Sequence, residues 1–417
     1  MPGFYGLDVA ARHALLEARC GLDAADLAAL MPGGGLDVAR ADKMIENCIG
    51  VFGLPVGLGL NFTVNGRDFV VPMAVEEPSI IAAVSHIAKL VRPHGGFVAE
   101  GDPSVMISQV QVCELDDLQA AAQALEGAKA HLLARANAVH PNMAVRGLGA
   151  HDIEVRVFEA PYPMVVLHLL VDCSDAMGAN AVNAMAEGVA PLVESLTGGR
   201  VYLRILSNLA DRRLARARFS LPESALEGRG YSGAEVAEGI VRAWQFAAVD
   251  PYRAATHNKG VMNGIDAVAV ATGNDWRSVE AGAHAYAARD GRYTSLTKYW
   301  RTDGVLHGAI ELPLAVGTVG GSTKVHPTIG VLRKILGVAG ARELAAVMAA
   351  VGLAQNTGAL KALATEGIQR GHMGLHARSV ALAAGAEAHQ VDAVARAMVR
   401  QGVIKEAAAR ALLADLE

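Results

Sequence analysis

Between residues 104 and 209 the hydrophobic pattern alternates between a two-residue and a helical period, which limits the available folds more than any single motif does. Ile107 to Glu114 reads as a strand, Leu118 to Ala138 as an alanine-rich amphipathic helix, and Ile153 to Phe158 as a second strand approached through Gly147-Leu148-Gly149. A third strand, Met164 to Val171, runs through Asp172-Cys173-Ser174-Asp175-Ala176-Met177-Gly178-Ala179-Asn180. The helix that follows has Val182, Met185, Ala186, Val189, Val193 and Leu196 inward, and Arg200 to Ile205 closes the set. The segment predicts a small α/β sandwich inserted into a larger unit. Gly178, between strand and helix, lets a ligand approach the backbone, where the first helical amides favour phosphate oxygens. No stretch matches GxGxxG, so a Rossmann domain is not supported. Gly317-Thr318-Val319-Gly320-Gly321-Ser322-Thr323-Lys324 lacks the Gly-Lys-Ser/Thr ending of a P-loop and reads as a tight loop.

The whole chain of 417 residues, insert included, is 52% hydrophobic, enough for a large core and for two or three domains. Aromatic residues are only 5% and the net charge is −5, which excludes a stacking or electrostatic surface for nucleic acid. Cys20, Cys48, Cys113 and Cys173 form no CxxC pair and suit a reducing compartment. The N-terminal residues show no basic region followed by an apolar one, and no apolar run is long enough to cross a bilayer. A cytoplasmic protein without membrane partners is expected.

Before the insert, Asp23 to Asp26 starts one of two short helices within residues 8 to 30, and Asn65-Gly66-Arg67-Asp68 turns a hairpin. After it, Val236 to Ala248 and Ser278 to Ala288 read as helices, residues 301 to 320 as strands, residues 328 to 364 as helices, and Val391 to Leu416 as an exposed helical tail. Arg204, Arg212, Arg213, Arg216 and Arg218 read as a solvated helix face or an intersubunit salt-bridge surface.

Three stretches carry chemistry. His257-Asn258-Lys259-Gly260-Val261-Met262-Asn263-Gly264 is followed by Ile265 to Ala271, which reads as a short buried strand, and then by Gly273-Asn274-Asp275-Trp276-Arg277. Lys259 and Asp275 at the two ends of that strand are either a carbonyl-polarising pair or a surface salt bridge. In Glu76-Glu77-Pro78-Ser79, proline at the first helical position would put Glu77 at the cap, so Glu77 either caps the helix or meets a specific partner. His372 and His376, in Gly371-His372-Met373-Gly374-Leu375-His376-Ala377-Arg378, have the spacing of a two-histidine metal site, but no third ligand is evident. The flanking glycines argue for a mobile segment, on which two surface histidines are the competing reading.

Taken in order, Glu46-Asn47-Cys48-Ile49-Gly50, Val71 to Pro78, Asp175 to Asn180, Arg204 to Asn208, Asp250 to Gly264, Gly273 to Trp276 and Gly371 to Met373 cover nearly the whole chain. The ordered set resembles 3-hydroxy-3-methylglutaryl-CoA (HMG-CoA) reductase in the class II form of bacteria and archaea. The resemblance implies two successive hydride transfers from nicotinamide to a thioester. Lys259 would polarise the carbonyl, Asp275 would orient that lysine, Glu77 would be coupled to both and take part in proton transfer, and His372 on a C-terminal flap would protonate the CoA thiolate. It implies that Ser79, Arg253, Thr256 and Asn263 line the acyl-CoA pocket, and that Asp175, Met177, Gly178, Asn180 and Asn208 lie along the dinucleotide. Burial is expected to raise one acid's affinity for its proton.

Two positions depart from the family's pattern: Tyr5 follows Phe4 where bacterial members carry an arginine, and His140 aligns with the acid that grips the adenosine ribose. NAD(H) is the favoured cofactor, NADP(H) stays open, and no metal is expected. The fold class expected is α+β: a large acyl-CoA-binding catalytic domain (1–103 and 210–366), an inserted ferredoxin-like, non-Rossmann dinucleotide-binding domain (104–209), and a C-terminal flap (367–417). The function expected is the interconversion of HMG-CoA with mevalonate and coenzyme A, serving mevalonate degradation, in a homodimer or higher homo-oligomer with its active site at the subunit interface. A metal-assisted acyl-CoA lyase, or a non-catalytic CoA- or nucleotide-binding protein of the same fold, are the alternatives.

Overall fold

The computed structural model describes residues 1, 3–228, 230–321, 325–365 and 367–415, with 368–375 described by backbone alone. Helices α1 (Val9–Cys20), α2 (Ala24–Ala28) and α3 (Val38–Ala41) come first, each started by an aspartate whose side chain accepts a backbone N–H of the first turn. Strands β1 (Val56–Val64) and β2 (Arg67–Ala74) form the expected hairpin. Its turn residues Asn65 and Gly66 both have positive φ, the geometry that matches the twist of the flanking strands. Helix α4 (Ile80–Val91) packs on β1, and β3 (Val98–Gly101) leads into the insert.

The insert runs β4 (Val105–Cys113), α5 (Leu118–Gly127), α6 (Lys129–Val139), α7 (Pro141–Ala144), β5 (Gly149–Phe158), β6 (Met164–Asp172), α8 (Ala179–Thr197) and β7 (Arg200–Leu206). The strands pair in the order β5-β6-β4-β7, every neighbour antiparallel, which is the split β-α-β pattern. Their apolar face, with Leu125, Leu132, Met185 and Val189, makes a core of its own. The single helix expected over 118–138 is two: Ala128 leaves helical geometry directly after Gly127.

The second half runs β8 (Leu214–Pro222), α9 (Gly233–Val249), α10 (Pro251–Ala271), α11 (Trp276–Ala287), β9 (Thr297–Thr302), β10 (Val305–Pro313), α12 (Pro327–Leu336) and α13 (Ala341–Ala364). Last come α14 (Ile368–Ala383), α15 (Val391–Gln401) and α16 (Glu406–Ala414). An antiparallel sheet of order β3-β8-β10-β9, with α4, α9, α10 and α13, holds the largest apolar core. Among the described residues no single helix is long and apolar enough to cross a membrane.

Three expectations are corrected. Ile265 to Ala271 is not a strand but the end of the 21-residue helix α10. It passes through the core, so Ala267, Val268, Ala269 and Ala271 are all buried and no helical period survives in the sequence. Arg216 and Arg218 lie not on a helix but on β8, alternating with buried Ala215, Ala217, Phe219 and Leu221, while Arg213 is itself buried. The tail is amphipathic rather than simply exposed: Val391, Val394, Ala395, Met398 and Ala409 close a small core with Ala377 and Ala381 of α14.

On α10, His257 is 1% exposed, with Nε2 2.6 Å from Thr297 Oγ1 and 2.9 Å from Ser295 Oγ. Burial, reinforced by Arg253, lowers its pKa from 6.5 to about 3. The unfolded imidazole therefore takes its proton first. The stability contribution is complete above pH 6.5 and is lost as the pH falls towards 3, at about 1.4 kcal/mol per pH unit. We expect urea unfolding free energies to fall across that window, and His257→Gln to flatten the dependence. Equal slopes in the two proteins would count against the burial argument.

Candidate active site

Asp250 accepts the N–H of Tyr252 and Pro251 occupies the first helical position, so α10 starts at a defined residue. From there Arg253, Thr256, Lys259, Asn263 and Asp266 follow at spacings of three and four, forming a polar stripe along a helix whose other sides are buried. Asn258, on the buried side, fixes this register. Its amide nitrogen donates to Tyr293 Oη at 3.0 Å and to the Thr294 carbonyl at 2.8 Å, and its oxygen accepts Leu296 N–H at 3.0 Å.

Lys259 Nζ donates to Glu77 Oε2 at 2.7 Å, and Asn263 Nδ2 approaches the same oxygen at 3.5 Å. Glu77 is not the helix cap that Glu-Glu-Pro suggested: α4 begins later, with Ser79 as its N-cap. Ser79 holds a left-handed φ of 78° and caps nothing with its hydroxyl, and Oγ is buried without a partner. A non-glycine residue in that region costs about 1 kcal/mol or more, the kind of strain that concentrates at binding sites.

Asp275 is the N-cap of α11, and its Oδ1 takes Arg277 N at 3.1 Å, Arg277 Nε at 3.3 Å and Ser278 N at 3.3 Å. No ion pair joins Asp275 to Lys259 among the described residues. The two share a cleft of about 1370 Å³ lined also by Glu77, Asn263, Asp266 and Asn274. Two side chains here escaped the sequence reading. Asp266 has Glu280 of α11 as its hydrogen-bond partner, and burial followed by that neighbour raises its pKa well above the carboxylate range. Arg12 donates to the carbonyls of Phe4 and Tyr5 and also lines the cleft. The helical spacing from Lys259 to Asp266 was available as a signal, but only after α10 is seen as a helix; Arg12 had none.

Gly178 is the N-cap of the 19-residue α8, with φ 98°; a Cβ there would fall 2.3 Å from Cys173 Sγ. No side chain caps this helix, so its first N–H groups suit an anion, and exposed Asn180 lies in the first turn. Arg213 braces the turn from behind by donating to the carbonyls of Ala176, Met177 and Val316. The Asp175 carbonyl accepts Thr318 N–H, and its Oδ1 accepts Ala341 N–H at the start of α13. Gly317 N–H donates to Asn274 Oδ1 at 2.7 Å, tying this turn to the residue beside Asp275. Exposed Asn208 lies against α11, where a Cβ at Gly282 would meet its carbonyl at 2.6 Å. His140 stands at the joint of α6 and α7 with Nε2 buried and unpartnered. The side chain of His372 lies outside the described residues; its backbone is helical, within α14, as is that of exposed His376.

Residues 8–377 match the family model for hydroxymethylglutaryl-coenzyme A reductase. The chain is 51% identical over 408 residues to 3-hydroxy-3-methylglutaryl-coenzyme A reductase of Archaeoglobus fulgidus, covering 97% of this chain and 92% of that protein. It is similar in structure to the reductase of Streptococcus pneumoniae, with TM-score 0.85 and 39% identity over 100% of this chain and 99% of the other. A structure of the class II S. pneumoniae enzyme bound to NADPH matches with TM-score 0.84 and 41% identity over 87% of this chain and 99% of that one. These likenesses define an oxidoreductase of mixed α/β fold. The chain belongs to the hydroxymethylglutaryl-coenzyme A reductase family and carries that family's activity.

Asp275 allows capping and chemistry to be separated. Asparagine is as good a cap as aspartate, so Asp275→Asn should change unfolding free energy by less than about 0.5 kcal/mol, whereas Asp275→Ala should cost about 1 kcal/mol. If the carboxylate also serves the reaction, both variants lose turnover. An active Asp275→Asn would leave only the cap.

Proposed function

We propose that the cleft between α10 and the Glu77 loop reduces the HMG-CoA thioester, with Lys259 holding the carbonyl oxygen and the alkoxide that develops on it. The observation that carries this reading is the 2.7 Å contact of Lys259 Nζ with Glu77 Oε2 inside the cleft. An ammonium held by one carboxylate is oriented before substrate arrives and still has two N–H bonds to give. Glu77 takes part in proton transfer to the alkoxide, and Asp275 orients the lysine from across the cleft. His372 protonates the departing thiolate from the C-terminal segment 367–417. Ser79, with its free buried hydroxyl, joins Arg253, Thr256 and Asn263 in binding the acyl-CoA. Arg12, which lines the cleft, takes the part of the missing arginine at position 5 in meeting the CoA phosphates.

The bound dinucleotide supplies the hydride in each of the two reductions. Segment 104–209 is its domain, inserted into the acyl-CoA domain (1–103 and 210–366), with Asp175, Met177, Gly178, Asn180 and Asn208 along the cofactor. NAD(H) is the proposed cofactor and mevalonate oxidation the physiological direction. NADP(H) is the second reading, favoured by the NADPH-bound S. pneumoniae relative and by His140, which carries no negative charge to repel a 2′-phosphate. A homodimer with the cleft at its boundary is supported by the Glu46–Gly50 neighbourhood, where Ile49 and Phe52 are 101% and 90% exposed.

CoA-dependent mevalonate oxidation, followed by nicotinamide absorbance, should be seen with the wild type. Lys259→Ala should lower kcat by at least about 10²-fold while still binding CoA and dinucleotide. Turnover by Lys259→Ala near that of the wild type would reject the assignment. Initial rates with NAD and NADP should move towards NAD in His140→Asp. An unchanged ratio would remove His140 from the cofactor site.

A further inference from the structure

Asp266 sits on the same stripe of α10 as Lys259 and Asn263 and lines the same cleft, yet the reaction outlined above gives it no task. No N–H or O–H donor reaches its buried Oδ1, and its hydrogen-bond partner is another carboxyl, that of Glu280. Two carboxyls can be bonded in this way only if they hold a proton between them. Glu280 in turn meets His284 Nε2 at 2.5 Å, one turn along α11. His284 Nδ1 lies 2.7 Å from Tyr293 Oη, and the imidazole is 40% exposed. Tyr293 Oη accepts from Asn258 Nδ2, so its own proton points to Nδ1, which leaves the Nε2 proton of His284 facing Glu280. Burial raises the pKa of Tyr293, so its hydroxyl keeps its own proton and only turns between donating to Nδ1 and accepting from it.

We infer that His284, Glu280 and Asp266 form a proton relay that runs from solvent, behind the catalytic lysine, to the wall of the cleft. Each turn of the relay consumes one solvent proton. That proton adds to His284 at Nδ1 as the Tyr293 hydroxyl rotates to accept it. The imidazolium passes its Nε2 proton to Glu280. With Glu280 neutral, the proton that Asp266 held towards it turns into the cleft, and the Glu280 proton takes its place between the two carboxyls. The exposed imidazole exchanges its Nδ1 proton with water to regain Nε2–H. In the cleft, through one water, the proton from Asp266 restores the Glu77 carboxyl that has protonated the alkoxide. Hydride comes from the dinucleotide of the established activity, so no other reductant enters. Desolvation of Asp266 keeps its proton in place at rest, and the Glu280 carboxylate is held ionised first by its bond to His284.

The inference rests on the reading of Lys259 and Glu77 given above, and the tests separate the two. In Asp266→Asn the amide fills the same space and can donate to the Glu280 carboxylate, so a purely structural role is preserved. A relay is cut. The expected result for this variant is a fall in kcat of about 10²-fold, KM for HMG-CoA within about twofold, and a larger solvent deuterium effect on kcat. Unchanged kcat and isotope effect in Asp266→Asn would overturn the relay. If Lys259→Ala is dead in the same assay, the reading of the cleft survives that failure; if Lys259→Ala is active, that reading fails first. Should Asp266→Asn not fold, His284→Ala supplies the second measurement. Its rate should drop and recover on addition of imidazole, which can reach the exposed end of the chain, and an unaffected or unrescued rate counts against the relay.

Discussion

The constraint behind the site is that one helix must be both core and active-site wall. Over its 21 residues α10 buries Ala254, Val261, Met262, Ile265, Val268 and Ala269, and it presents Lys259, Asn263 and Asp266 along the remaining strip. A stripe of polar side chains on a helix held on its other sides cannot rotate without moving the core, and protein interiors resist such movement. The lysine is therefore positioned by apolar packing, and Asn258 locks the register with three hydrogen bonds. The electrostatic pairing with Glu77 comes on top of that framework. With the Lys259 side chain 60% exposed, the pair adds little stability of its own and matters for orientation.

The two acids near Lys259 are held differently, and the difference follows from their local sequences. Glu77 belongs to a connection between β2 and α4 in which Ser79 accepts an unfavourable backbone conformation, and this frees the carboxylate from capping. Asp275 remains tied to the first turn of α11 through Oδ1. Glu77 thus answers to the ammonium, whereas Asp275 answers to a helix terminus whose free N–H groups already hold negative charge in place.

Local rules recovered the elements that local chemistry decides. Asn65-Gly66 gave the hairpin, Asp23 to Asp26 gave a helix start, and the period of Val182, Met185, Ala186 and Val189 gave α8. They failed where tertiary environment takes over. The end of α10 is apolar on every side, so periodicity could not tell it from a strand; the Asp250-Pro251 cap and the length of the segment were the usable signals. Glu77 was misplaced because proline at the first helical position is a preference, and here the helix begins two residues beyond it. The family resemblance supplied Lys259 and Glu77 as partners across 182 residues, a pairing no periodicity argument reaches. Asp266 and Glu280 were missed for the same reason: nothing in either segment announces that the other will be beside it.

The proposed dinucleotide turn is likewise far in sequence from the acid at the cleft, and here the backbone closes the gap. Gly317 packs so tightly on the turn that a Cβ would sit 2.6 Å from Met177 N, and its N–H is held by Asn274, the neighbour of Asp275. Arg213 adds donors to the carbonyls of Ala176, Met177 and Val316, and its buried guanidinium has no water to fall back on. A shift of the turn by even a fraction of an ångström has to carry Gly317 with it, and through Asn274 the loop that holds Asp275. Of the stretch 317–324, read from sequence as merely tight, residues 322–324 lie outside the described residues, and 317–321 are thus a mechanical link between the proposed cofactor turn and the cleft.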